Sequence, residues 1–157
     1  MRQAQTLNEA QLRRVLHYTG SRRHPVRDRT IIMVSFYAGL RAKEIAALTM
    51  GNVFDEQGAV REQFILTAAQ SKGGQTRTVY LNQRLRRALV DYGDTIKLMD
   101  PQQALFASQK GGHFSANTMC QLFLDIYKAC GLKDASSCRT STTLSARDNH
   151  LGRFSGR

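Results

Sequence analysis

The sequence predicts an α+β fold that is mostly helical, with a small three-stranded antiparallel sheet set among the helices. Three observations predict it. Apolar residues recur at helical spacing on both sides of the chain's middle, the middle itself carries short β-type runs separated by turn residues, and all periodicity is lost after Leu132. A chain of 157 residues, 41% hydrophobic and 22% charged, has the composition of a folded globular domain and the length to bury a sizeable core.

The elements follow in order. Thr6-Leu7-Asn8-Glu9 reads as a capping box, with Leu12, Val15 and Leu16 on one face of the helix behind it and Gly20 suited to its end. After the basic loop Ser21 to Pro25, the dense apolar pattern from Val26 to Ala38 predicts a buried helix that Gly39 breaks, and a shorter helix with Ile45, Ala46 and Leu48 comes next. Val53-Phe54, Phe64 to Leu66 and Thr78 to Tyr80 are the three expected strands. Ser71-Lys72-Gly73-Gly74-Gln75 between the last two has the composition of a hairpin tip, where paired glycines supply positive φ. A helix carrying Leu85, Ala88, Leu89, Tyr92, Ile96 and Met99 is then closed by Asp100-Pro101. Ser115 can cap a last helix whose stripe runs from Met119 through Leu122, Phe123, Ile126 and Tyr127 to Cys130.

Charge narrows the function classes. Twenty-three Lys and Arg against 12 Asp and Glu give +11. Such a field favours polyanions, with nucleic acid the first candidate and a merely solvated basic surface, or a cationic ribosomal-type accessory protein, the plainer readings. The three cysteines, Cys120, Cys130 and Cys138, show no C-x-x-C spacing, so unpaired thiols are expected and a metal site is not. The polar start of the chain has no apolar leader pattern, and no apolar run approaches the length of a membrane span. No membrane partner, small-molecule substrate or cofactor is expected.

Two segments carry chemistry. One is Ala38-Gly39-Leu40-Arg41-Ala42-Lys43-Glu44-Ile45, preceded by Arg27-Asp28-Arg29 and the buried helix; the other is Ser71-Lys72-Gly73-Gly74-Gln75-Thr76-Arg77-Thr78-Val79, with Leu81 closing the strand. In this order and separation they resemble the tyrosine-recombinase (phage-integrase) family, with its G-L-R-x-x-E-(I/L) box and its hairpin T-K-(G)-(G)-K-x-R-x-(V/I)-x-L. Ala104-Leu105-Phe106 followed by Gly111-Gly112 is similar to the family's "LF…G" stretch. The resemblance runs from about residue 6 to residue 132. It implies the catalytic-domain fold of such a recombinase without its C-terminal helices, and double-stranded DNA as partner, with other recombinase protomers as a further candidate.

In that family a tyrosine attacks a DNA phosphodiester, forming a 3′-phosphotyrosyl bond and releasing a 5′-hydroxyl. By resemblance, Arg41 is a phosphate clamp, since a planar and permanently charged guanidinium suits the non-bridging oxygens. Glu44 would hold Arg41 in place, and Lys72 would act as general acid toward the leaving 5′-oxygen. Arg77 and Lys43 are expected to be DNA-facing or solvated charges. Taken singly, Arg41 reads first as a surface arginine at a helix start, Lys72 as a solvated turn residue and Glu44 as an i,i+3 partner on an exposed helix; the two boxes together reverse this for Arg41 and Lys72.

The resemblance also implies residues that do not fall where they should. A His/Lys-x-x-Arg box, an L-G-H stretch and a nucleophilic tyrosine belong after Leu132, whereas the five tyrosines are Tyr18, Tyr37, Tyr80, Tyr92 and Tyr127. His150-Leu151-Gly152-Arg153 has the H-x-x-R form, but His24-Pro25-Val26-Arg27 matches as well, and the late pair reads as coincidence. The expectation is therefore a partial recombinase domain over 1–132 and a poorly ordered, aberrant tail over 133–157, with Cys138 to Arg157 out of frame or replaced. Such a chain would be a DNA-binding, catalytically incompetent recombinase fragment in the bacterial cytoplasm, near the nucleoid. The alternative is a generic basic nucleic-acid-binding module without recombinase chemistry.

Overall fold

In the computed structural model, residues 7–71, 73–96 and 100–132 are described. The expectations for Thr6, Lys72, Met99 and the tail 133–157, with Cys138, His150 and Arg153, lie outside the described residues.

Helix α1 (Glu9–Thr19) begins two residues later than expected. Asn8 Oδ1 accepts from the Gln11 backbone N–H at 2.8 Å, and Gln11 Oε1 accepts from the Asn8 N–H at 2.9 Å. Both T-x-x-E and N-x-x-Q fit the capping pattern. The later start puts Leu7 just before the cap and Leu12 one turn inside, where both are buried as a hydrophobic staple requires. Gly20 ends the helix with an ordinary φ of −61°.

The buried helix is α2 (Pro25–Met33), with proline in its first turn, continued by one π-helical turn over Val34–Ala38. Gly39 ends it at φ 70°, ψ 30°, in the left-handed region open to glycine. The chain then turns into α3 (Ala42–Ala46) and α4 (Met50–Val53).

The sheet has two strands, not three. Strand β1 (Gln63–Leu66) pairs antiparallel with β2 (Arg77–Tyr80), Phe64 opposite Val79. The expected strand at Val53-Phe54 is replaced by α4, because Asn52 Oδ1 accepts from the Thr49 N–H at 2.9 Å and closes a helical turn. Phe54 keeps only an isolated bridge to Val60. Two apolar residues are too short a run to distinguish the two periods.

Helix α5 (Gln83–Asp94) is capped by Asn82 and ends earlier than the sequence pattern suggests, so Ile96 lies beyond it. Helix α6 (Ala116–Ala129) is capped by Ser115 as expected, and its whole stripe is buried. α2 packs against α1 and α5, α3 against α6, and α4 against β1. One hydrophobic core, in which Ile31, Leu40, Ile45, Leu85, Leu89 and Phe123 are almost fully buried, joins these elements. No helix among the described residues is long and apolar enough to cross a membrane.

Candidate nucleic-acid interface

Arg41 is the N-cap of α3, partly buried, with extended backbone at φ −75° and ψ 157°. The π turn and Gly39 deliver it there, at the corner between the buried helix and α3. Lys43 is exposed two residues on, and Glu44 is 2% exposed.

Glu44 is the electrostatic centre of this corner. Its Oε1 accepts from the Arg41 backbone N–H at 3.0 Å and from the Arg77 guanidinium at 2.9 Å. The family resemblance assigns Glu44 the task of holding Arg41. The structure adds Arg77, brought in from β2, as a second group on the same oxygen. The Arg77 side chain is 48% exposed, so its guanidinium is anchored at one edge and open to solvent at the other. Arg41, Lys43 and Arg77 thus belong to one corner, while Lys72 lies outside the described residues.

Two further residues, without a sequence signal of their own, fasten this corner. Gln70 Nε2 donates to the Ala47 carbonyl at 3.0 Å and to Asn52 Oδ1 at 2.8 Å. From the other side His113 Nδ1 donates to the Ala46 carbonyl at 3.0 Å. The segment holding His113 runs beside the α3–α4 link, where the Leu105 N–H donates to the Leu48 carbonyl at 2.9 Å and Ala104 bridges Thr49. The carbonyls at the end of a helix lack partners within it, and these contacts supply some.

Asp28 proves to be a buried structural anion paired with two part-buried arginines. Asp28 is 1% exposed and accepts from Arg22 Nε at 2.7 Å and Arg27 Nε at 2.9 Å. Arg27 also donates to the Ala107 carbonyl at 3.0 Å and lies 5.0 Å from the Phe114 ring centroid. The cleft beside it, about 490 Å³, is lined by Arg22, Arg27, Lys110 and His113 together with Asp125.

The tyrosines divide. Tyr92 and Tyr127 are buried, and the Tyr92 hydroxyl donates to the Leu105 carbonyl at 2.6 Å. Burial pushes the Tyr92 phenol up to about 12 and the Tyr127 phenol higher still. Tyr37 accepts from Arg84 at 3.4 Å, and Tyr80 is 67% exposed on the outer face of β2. Among the described residues no group of His, Cys, Asp and Glu could hold a metal ion.

The sequence model of the phage integrase family matches residues 5–146. No curated protein matches the chain. Among solved structures, XerA recombinase is similar over 100% of this chain and 53% of its own length, at 20% identity and a TM-score of 0.71. The catalytic core of lambda integrase matches over 96% of this chain and 85% of its own, at 17% identity and a TM-score of 0.69. The Tn1549 transposon integrase in complex with transposon right end DNA matches over 97% and 55%, at 16% identity and a TM-score of 0.69. The chain therefore spans about half the length of XerA recombinase and of the Tn1549 integrase. At these identities the likeness establishes the fold.

Proposed function

The chain belongs to the phage integrase family, and from that premise we propose that these 157 residues bind duplex DNA through the Arg41 corner without cleaving it. The observation that carries this reading is the shared Glu44 carboxylate. It ties the start of α3 to β2 through the Arg41 backbone and the Arg77 guanidinium, which supports reading Arg41, Lys43 and Arg77 as one cationic surface. A net charge of +11 supplies the long-range attraction, and the DNA in the Tn1549 integrase complex supports the choice of polyanion.

Within this reading Arg41 clamps a phosphate, Lys43 and Arg77 meet the DNA backbone nearby, and Glu44 supports the Arg77 guanidinium and the Arg41 N–H. By resemblance Lys72 corresponds to the family's general acid toward the 5′-oxygen, a role that stays unused in a chain that does not cleave DNA. Cleavage also requires a nucleophile. The two buried tyrosines hold protons that burial makes hard to remove. The H-x-x-R form of His150 and Arg153 is matched equally by His24 to Arg27, so neither serves as a second arginine box in this reading. Residues 1–132 then carry the DNA-binding surface.

Electrophoretic shifts of a short duplex across a salt series test the binding. Affinity should fall steeply as salt rises, and Arg41→Ala should lower it about tenfold at fixed salt, the effect of removing one charge-assisted hydrogen bond to phosphate. Salt-independent binding, or full affinity in Arg41→Ala, would overturn the interface. A nicked suicide duplex should yield no covalent adduct; an adduct would overturn the absence of cleavage while leaving the binding reading intact.

A further inference from the structure

A groove of about 450 Å³ lies on the surface where α1, α2 and α5 meet, and no residue of the Arg41 corner lines it. Leu12 and Leu16 of α1, Met33 of α2 and Ala88 of α5 form an apolar floor, with Tyr37 of the π turn beside them. Four arginines stand around this floor: Arg13 on α1, Arg29 on α2, and Arg84 and Arg87 on α5. All four are exposed. Among the described residues only the Arg84 guanidinium has a hydrogen-bond partner, the Tyr37 hydroxyl at 3.4 Å, and none of the four forms an ion pair. Arg22, Arg27 and Arg77 differ in this respect, since Asp28 and Glu44 hold them.

Like charges gathered in one groove repel each other, and an anionic group placed among them is attracted by all. The floor decides what carries that group. An amphipathic helix sets apolar residues at i, i+3, i+4 and i+7 into such a floor, while acidic residues on its flanks meet the arginines. A DNA backbone has no apolar stripe to cover Leu12, Leu16 and Met33, and the groove's own carboxylates, Glu9 and Asp91, repel its phosphates. The chain's own segments match poorly in charge. A second copy is itself basic, with 23 Lys and Arg against 12 Asp and Glu, and residues 133–157 carry five Lys and Arg against Asp134 and Asp148.

We propose that the groove between α1, α2 and α5 is a docking site for an acidic amphipathic helix of another protein. It shares no residue with the DNA surface proposed above and does not rest on that reading. The apolar floor supplies the burial, and the four guanidiniums select for carboxylates on the partner.

Three synthetic peptides of about 18 residues, long enough to form a helix, test the chemistry by fluorescence anisotropy on the intact chain. The first carries Leu at i, i+3, i+4 and i+7 spacing with Glu on both flanks. The second has Lys in place of Glu, and the third has Gln in place of Leu. The first should bind at least about tenfold more tightly than either of the others. Arg84→Glu and Arg87→Glu should each weaken it about tenfold. Lys110→Glu makes the same change of charge on an exposed residue outside the groove, and should weaken it by less than about twofold. The replaced side chains are exposed, and the peptide comparison needs no variant of the chain. Equal binding of the Glu and Lys peptides, equal binding of the Leu and Gln peptides, or an equal loss in Lys110→Glu would each overturn the proposal. So would a loss of duplex affinity in the groove variants greater than in Lys110→Glu, which would give the arginines to DNA. Self-association of the parent chain that Arg87→Glu abolishes would overturn it too, by making a second copy the occupant.

Discussion

The Arg77 guanidinium donates to Glu44 Oε1 at 2.9 Å across 33 residues of sequence, and the same oxygen caps the Arg41 backbone N–H at 3.0 Å. A carboxylate 2% exposed is costly unless paired, so this oxygen ties two basic segments together by necessity of burial. The first prediction is that Glu44→Gln costs about 1 kcal/mol of stability and Glu44→Ala about 2 kcal/mol, since alanine also removes the acceptor for the Arg41 N–H. The larger penalties of fully buried pairs do not apply, because Arg77 is nearly half exposed and its charge stays hydrated. Urea unfolding of the three proteins checks the order; equal midpoints would remove Glu44 as a structural centre.

Arg77 and Lys43 should differ in what they contribute to DNA binding. Lys43 is exposed, and its ammonium can follow a phosphate freely, so Lys43→Ala should lower the slope of log affinity against log salt by about one counterion. Arg77 must share its guanidinium with Glu44, and Arg77→Ala should change that slope by less while lowering the melting temperature. The reverse ranking would show that Arg77 faces the phosphate and that its bond to Glu44 is incidental.

Much of this arrangement was legible in the sequence where neighbours along the chain decide it. The α6 stripe and its Ser115 cap follow from helical spacing, and Phe64 to Leu66 with Thr78 to Tyr80 follow from β-type runs between turn residues. Gly39 likewise marked the end of the buried helix, and the box behind it located Arg41. What could not be read depends on burial, or on partners that no local pattern marks. Asp28 looked like one more charge in a basic segment, yet it lies 1% exposed between Arg22 and Arg27. Gln70 precedes the hairpin box with no pattern to mark it, and its partner Ala47 offers only a backbone carbonyl. The third strand failed for the opposite reason: a local cap at Thr49 and Asn52 outweighed a two-residue apolar run.

Asp28 leads to a prediction about the basic loop. Two arginine Nε groups meet its two oxygens, with side-chain exposures of 23% and 14%. Asp28→Ala leaves both guanidiniums facing a low-polarity site without their anion and should cost about 3 kcal/mol or more. Asp28→Asn keeps the volume and one acceptor and should cost less. Because Arg27 also holds the Ala107 carbonyl and faces Phe114, the loss in Asp28→Ala should include faster hydrogen exchange around residues 107–114. Destabilisation without any change there would mean that Arg27 keeps its place unaided.

Tyr92 sets an alkaline limit. Its hydroxyl, donating to the Leu105 carbonyl at 2.6 Å, is pushed by burial from 10.0 to about 12. A group whose folded value is raised holds its proton longer in the folded state, so its contribution is complete below pH 10 and is lost as pH climbs through 12. Tyr92→Phe should therefore be less stable than the parent at neutral pH by about 1–2 kcal/mol, for the carbonyl left unpaired, and that gap should shrink between pH 10 and 12. Thermal melts of both proteins across that range provide the check. A gap constant with pH would mean that the phenol ionises as easily folded as unfolded.

Gly39 gives the strictest test of how the Arg41 corner is built. At φ 70° and ψ 30° it reverses the chain between the π turn and α3, and a side chain there is strained whatever space surrounds it. Gly39→Ala should cost about 1 kcal/mol from the backbone alone. Gly39→Asn should cost less, because asparagine tolerates the left-handed region better than alanine. If the turn also aims Arg41, Gly39→Ala should weaken duplex binding beyond what its stability loss predicts, and the excess should vanish in the Arg41→Ala background. Equal stability of the alanine and asparagine variants would show that the turn relaxes out of the left-handed conformation at little cost. The position of Arg41 would then be set by the Glu44 bond to its N–H and not by the glycine before it.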